Sequence, residues 1–243
     1  MPKETTKKRQ PSVRIVQQLQ IKKKKETNTQ SSKFPDVIVA KETKPLPTRD
    51  PSDHTLIFSD FPHFRPNLTP KEILDFGSFG GTYFRPIYSS ETGRNHENEW
   101  NDLPEEWFKS LPAKKYKASR YDDSVNKYGV SCGGDLYMWE SNGWIRGIDP
   151  YGWFQWYCRF YLGRRCSDDS RQISRGLGVF GETGRWKRNL VNQCLDRVQN
   201  LKDEKQLLQV WKDHSISPKI RQLLQHWGYQ ITLQDIVCSA RKR

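Results

Sequence analysis

Asp149-Pro-Tyr-Gly-Trp-Phe-Gln-Trp-Tyr-Cys-Arg-Phe-Tyr-Leu-Gly-Arg-Arg165 is the stretch on which the fold turns. Asp149 followed by Pro150 reads as an N-cap with proline at the first helical position, and Gly163 reads as the stop. A helix is therefore expected from about 150 to 162. Seven of the eleven residues in 151–161 are aromatic (Tyr151, Trp153, Phe154, Trp156, Tyr157, Phe160, Tyr161), so rings fall on every side of it. A helix apolar all round belongs in the middle of its domain. Nine tryptophans in a chain that is only 34% apolar point the same way: rings more than aliphatics fill the interior. One face of this helix is also free to line a groove, where rings offer bases a stacking surface.

Further helices are expected on the C-terminal side. In 185–200, Trp186, Leu190, Val191, Cys194, Leu195 and Val198 recur at the helical period. Others cover about 203–213 and 218–227, the latter opened by Ser217-Pro218 and closed by Gly228. On the N-terminal side, Thr69-Pro70-Lys71-Glu72 carries a capping box with proline at the first position, and Gly77 ends that helix. Phe79-Gly-Gly-Thr-Tyr-Phe-Arg-Pro86 leads from a glycine turn into an expected strand, and Asp102-Leu-Pro104-Glu-Glu-Trp-Phe opens a second short helix. Residues 113–148, broken by Gly129, Gly133, Gly134, Gly143 and Gly147, read as strands and turns. The fold class is α+β: one aromatic-rich domain over 55–243, β-containing in its first half and helical in its second.

Phe79-Gly-Gly-Thr-Tyr-Phe-Arg-Pro-Ile-Tyr-Ser89, Asn126-Lys-Tyr-Gly-Val130, the 149–165 stretch and Ser217-Pro-Lys-Ile-Arg-Gln-Leu-Leu-Gln-His-Trp-Gly-Tyr229 together resemble a family of proteins from eukaryotes and some large DNA viruses. The resemblance covers roughly 56–232. It implies one compact domain with a divergent tail, and it brings with it no reaction, cofactor or catalytic residue.

Residues 1–54 read differently. The first 33 hold no aromatic residue, and ten Lys/Arg stand against Glu4 and Glu26. That net +8 leaves +5 of the chain's +13 for residues 34–243, so the basic excess is concentrated in a tail that composition marks as disordered. Within it, residues 13–21 carry apolar side chains suited to pairing with a partner or to forming a short helix on binding. Pro35, Pro45, Pro47 and Pro51 make the rest an extended linker. Lys7, Lys8 and Arg9 are separated by twelve residues from Lys22, Lys23, Lys24 and Lys25, the spacing of a bipartite nuclear import signal read by an import carrier. The same charges suit phosphate contact with DNA or RNA. No apolar run approaches the ~20 residues a membrane span requires, and no apolar stretch follows the lysines as in a secretory signal. Five cysteines without a Cys-x-x-Cys pair imply a reducing compartment rather than a disulfide framework.

Within the domain the cations gather after the aromatic helix. Arg159, Arg164, Arg165, Arg171, Arg175, Arg185, Lys187 and Arg188 oppose Asp168, Asp169 and Glu182, and Asp168 and Asp169 are also placed to pair with them. Arginine suits bidentate phosphate contact and ring stacking, so these eight are the candidate nucleic-acid contacts. Gly178, Gly181 and Gly184 sit before the 185–200 helix, where backbone N–H groups are able to meet a phosphate. The glycines of 76–82 lack the Gly-Lys-Ser/Thr ending of a P-loop and read better as a tight turn. The expected function is that of a nuclear nucleic-acid-binding protein.

Two other classes stay open. One is an enzyme acting on a nucleobase or nucleotide, with a pocket lined by 79–88 and 128–157 and with Cys132, Asp135 and Asp149 as catalytic candidates. The other is a protein-interaction module built on exposed rings. His54, His63, His96, His214 and His226 are scattered without zinc spacing, so no metal and no cofactor is implied.

Overall fold

The computed structural model describes residues 36–243. The basic clusters at 7–9 and 22–25, the 13–21 stretch and the tail's expected disorder fall outside the described residues. Val37–Arg243 forms one compact unit. Its first half holds two small antiparallel ribbons among turns, and helices fill its second half, the α+β arrangement expected from the sequence.

The segment from 37 to 47 runs mostly extended, a turn at 51–53 follows, and both belong to the compact unit. Val39 bridges Cys166, Ala40 N–H donates to Arg165 O, and Lys44 N–H donates to Gly163 O. A β-carbon on Gly163 would sit 2.1 Å from Lys44 O, so only glycine lets this strap close on the helix end beneath it. β1 (Thr48–Arg49) then pairs with β2 (Leu56–Ile57). α1 (Pro70–Phe76) starts as read: Thr69 Oγ1 accepts from Glu72 N–H, Glu72 returns a bond to Thr69 N–H, and Gly77 at φ +93° ends the helix. β3 (Ile87–Ser89) and β4 (Arg94–His96) form the second ribbon.

Residues 113–148 depart from the expected strands. Ala113–Lys115 and Asp123–Val125 are single 3-10 turns, and Leu136–Ser141 is a short helix, α2. The two ribbons lie upstream, and the only strand-like contact here is the isolated bridge between Arg146 and Asp149. The expected helix after Asp102 is likewise two 3-10 turns, Glu99–Asp102 and Glu105–Trp107. From Gly129 on, glycines at 129, 133, 134, 143 and 147 interrupt any run long enough for a ladder.

The aromatic helix is α3 (Trp153–Tyr161), and it is central. Trp156, Tyr157 and Phe160 are fully buried against Phe58 and Phe64. The polar ends of its rings are satisfied: Trp156 donates to Asp169 Oδ1, Trp153 to Gln172 O, and Tyr157 to Leu68 O. Its start is later than Asp149-Pro150 suggested. Gly152, at φ +87°, occupies the N-cap position, and Asp149 is turned inward to bind arginines. α4 (Asp169–Phe180) follows, then α5 (Arg185–Leu195), α6 (Glu204–Lys212), α7 (Pro218–His226) and α8 (Leu233–Ala240). α5 is the hub, packing on α4, α6, α7 and α8 through the expected face of Leu190, Val191, Cys194 and Leu195. Ser217 precedes α7 without capping it. Its hydroxyl goes to Gln193 Oε1 instead.

Candidate functional site

Five of the eight expected phosphate-binding cations are used inside the fold. Arg159 contacts Asp149, Glu99 and Asp102 at 3.0, 3.1 and 2.6 Å. Arg164 grips the same Asp149 with both nitrogens, at 2.8 and 2.5 Å, and that carboxylate is only 1% exposed. Arg165 pairs with Asp60 and lies over the Phe160 ring at 3.9 Å. Arg171 holds Asp168, and Lys187 holds Asp235. The expected pairing of Asp168 with a nearby arginine is present, whereas Asp169 serves Trp156 and Cys166. Arg185 and Arg188 are exposed and meet no carboxylate among the described residues. Arg175 differs from all of these.

Arg175 faces a cavity of about 760 Å³ between the irregular first half and the helices. The expected segments 79–88 and 128–157 both contribute walls, through Phe79, Tyr83, Arg85, Trp139, Trp144 and Phe154 among others. The first turn of the buried helix also lines it, with Trp153, while the rest of α3 faces the core. α4 adds Arg175, α5 adds Trp186, and the end of α7 adds His226 and Trp227.

The turn at 77–81 sets this wall. A β-carbon on Gly80 would lie 2.5 Å from the Tyr121 ring, and one on Gly81 would lie 2.0 Å from Lys114 O. Asn126 ties the pieces together: its Oδ1 accepts from Gly80 N–H, and its amide donates to Tyr121 Oη and Val130 O. Gln222 and Gln225 of α7 both donate to Gly77 O. The backbone groups of the turn are thus spent on protein partners, the tight turn expected from the sequence and no cradle for phosphate. In 178–184, Gly178 lies within α4, and Gly181 and Gly184 N–H groups donate to Leu177 O and Gly181 O.

Two arginines on the pocket have no carboxylate within 4.0 Å among the described residues. Arg175 donates to Trp144 O and Gln172 Oε1, and its guanidinium stands 5.3 Å from the Trp144 ring and 5.5 Å from the Trp227 ring. Burial, with Arg171 close by, brings it down to about 10, so it is charged near neutrality. Among the described residues, Arg85 donates only to Thr82 O. His226 is 6% exposed and stacks on Phe79 at 4.1 Å; burial holds it down to about 3 and keeps it neutral.

Of the catalytic candidates, Cys132 and Asp135 reach the pocket and Asp149 does not. Burial pushes the Cys132 thiol up to about 11, so it is no thiolate near neutral pH. Asp135 caps α2 by accepting from Met138 N–H. Among the described residues, no three of His, Cys, Asp and Glu converge as a metal would need. The arrangement has walls for a planar group and cations for an anion, and it lacks an activated nucleophile paired with a base. Sequence reasoning missed His226 and Trp227 as site residues, and it placed Arg85 on a pocket wall without giving it a role. Their one signal was membership of the glycine–aromatic motifs, which says nothing of which residues meet.

Comparison with protein families, with curated proteins and with solved structures finds no match for this chain.

Proposed function

We propose that the protein binds nucleic acid or nucleotide by admitting one unpaired base into the aromatic pocket, where rings stack on it and Arg175 and Arg85 receive phosphate. One observation carries this reading: a ring-walled cavity of about 760 Å³ whose two arginines lack carboxylate partners among the described residues. The volume falls in the ~300–1,000 Å³ range of small-ligand sites. Each stacked base is worth ~1–3 kcal/mol. A base inside a duplex has its faces covered, so the occupant is single-stranded or free. The protonated Cys132 and the capping role of Asp135 favour binding over turnover.

In this reading the basic clusters at 7–9 and 22–25 add sequence-independent phosphate contact, and they direct the protein to the nucleus through an import carrier. The protein is to be titrated with mononucleotides and with short single-stranded DNA and RNA, following tryptophan emission. Saturable quenching that weakens in Arg175→Ala and Arg85→Ala supports the reading. No response to any of these at millimolar concentration removes it. Removing residues 1–33 is expected to weaken oligonucleotide binding and flatten its salt dependence, with mononucleotide binding unchanged.

A further inference from the structure

The polar groups of the pocket are unequally divided between donors and acceptors. His226 shows this best. Its Nε2 lies 3.0 Å from the Phe79 backbone N–H and 3.0 Å from the Gln222 side-chain nitrogen. The amide orientation of Gln222 is fixed independently, because its Oε1 accepts from Tyr128 N–H and its nitrogen donates to Gly77 O. Two donors therefore converge on Nε2, which must be the bare nitrogen, and the ring proton sits on Nδ1. Nδ1 has no acceptor among the described residues and is not among the fully enclosed orphan atoms, and the ring lines the cavity. His226 thus offers the cavity an N–H and never a lone pair.

The neighbouring groups have the same sense. Arg175 and Arg85 only donate, and the Trp144 and Trp227 indole N–H groups have no acceptor among the described residues. Several acceptors on the wall are engaged elsewhere: the Tyr83 hydroxyl bonds Tyr151 O, and the Tyr121 hydroxyl bonds Cys132 O. Asp135 is exposed, with Oδ1 engaged by Met138 N–H, and the Thr82 hydroxyl is turned to Phe79 O. A buried donor discriminates strongly, since a ligand that presents another donor to it leaves both unpaired.

We propose that the pocket selects an oxo base, with a ring carbonyl oxygen accepting from His226 Nδ1–H, over the matching base that carries an amino group at that position. This rests on the base-binding reading above and specifies its ligand. Matched pairs carry the difference: uridine and cytidine monophosphates differ at position 4 and in the N3 proton beside it, and inosine and adenosine monophosphates at position 6 and in the N1 proton. Both pairs share ribose and phosphate.

Tryptophan-emission titrations of the full chain are expected to give the oxo member of each pair about tenfold tighter binding. His226→Phe retains a ring against Phe79 and lacks the donor; it is expected to bring both pairs to near-equal affinity, weakening the oxo member and relieving the amino one. Because Phe79 N–H then loses its acceptor, a measurement on the unaltered protein stands beside it. The His226 Nδ1 proton resonance is expected to move when uridine monophosphate binds and to stay when cytidine monophosphate binds. Equal affinities within both pairs, or tighter binding of the amino members, overturn the selectivity and leave base binding intact. Failure of every nucleotide and oligonucleotide to bind overturns both.

Discussion

The end of α3 and the pocket each hold arginines beside aromatic rings, and they use them in opposite ways. At the helix end, Arg159 and Arg164 converge on the buried Asp149, and Arg165 reaches Asp60. Each charge is cancelled inside the protein, and the network fastens the central helix to the first half of the chain. In the pocket, Arg175 stands between two indoles and, among the described residues, bonds only a carbonyl and an amide oxygen. A buried cation with its carboxylate contributes to architecture. One held ready without a carboxylate is disposed to receive an anion from solution. Counting arginines along 159–188 mixes the two kinds.

Asp149→Ala attacks the first kind most directly. It leaves Arg159 and Arg164 without their shared carboxylate and is expected to cost about 3–5 kcal/mol, measured by chemical denaturation. A loss under 1 kcal/mol would show that the pairing is incidental and erase the contrast.

Acid separates the regions next. His226 is held from its ordinary 6.5 to about 3, so below pH 6.5 the unfolded chain binds a proton that the folded one refuses. Stability then falls with decreasing pH, by at most about 1.4 kcal/mol per unit, down to about pH 3. Asp60 is held low by Arg165, so its contribution is present above the usual carboxylate value and lost only as pH falls beneath it. Denaturation curves between pH 7 and 4.5 should steepen their loss in the parent and flatten in His226→Gln. An unchanged slope in that variant would place the acid sensitivity elsewhere.

Arg175→Ala is expected to weaken nucleotide binding by ~1–3 kcal/mol while stability stays within about 1 kcal/mol. A variant that unfolds yet binds as before would move Arg175 into the architectural group. The smallest effect is expected for Arg185→Ala with Arg188→Ala. Both side chains are exposed, so stability should stay within about 0.5 kcal/mol, and oligonucleotide binding should lose some of its salt dependence.

Local chemistry was legible in the sequence, and partnership was not. The Thr69–Glu72 capping box, the Gly77 stop and the apolar face of α5 depend on residues three or four apart, and each is where the sequence placed it. The burial of α3 followed from the density of rings alone. Asp149 misled because Asp-Pro is a helix opening in isolation, while here the carboxylate answers arginines ten and fifteen residues on. Asp102 and Asp60 lie 57 and 105 residues from the arginines they neutralise, beyond any periodicity. The pocket walls at 79–88 and 128–157 were anticipated from their glycines and rings. His226 was not, because its role depends on Phe79, 147 residues away.

The strap at 37–47 also has a mechanical meaning. Its bonds to the chain after α3 are ordered along its length: Ile38 with Ser167, Ala40 with Arg165, Lys44 with Gly163. A pull transmitted through residue 37 would load the first of these before the second and the second before the third. Such an attachment peels one bond at a time at low force, in contrast to a sheared ribbon whose bonds resist together. Tension on the N-terminal side would therefore be absorbed by the strap, and α3 would feel it only after Gly163 has let go.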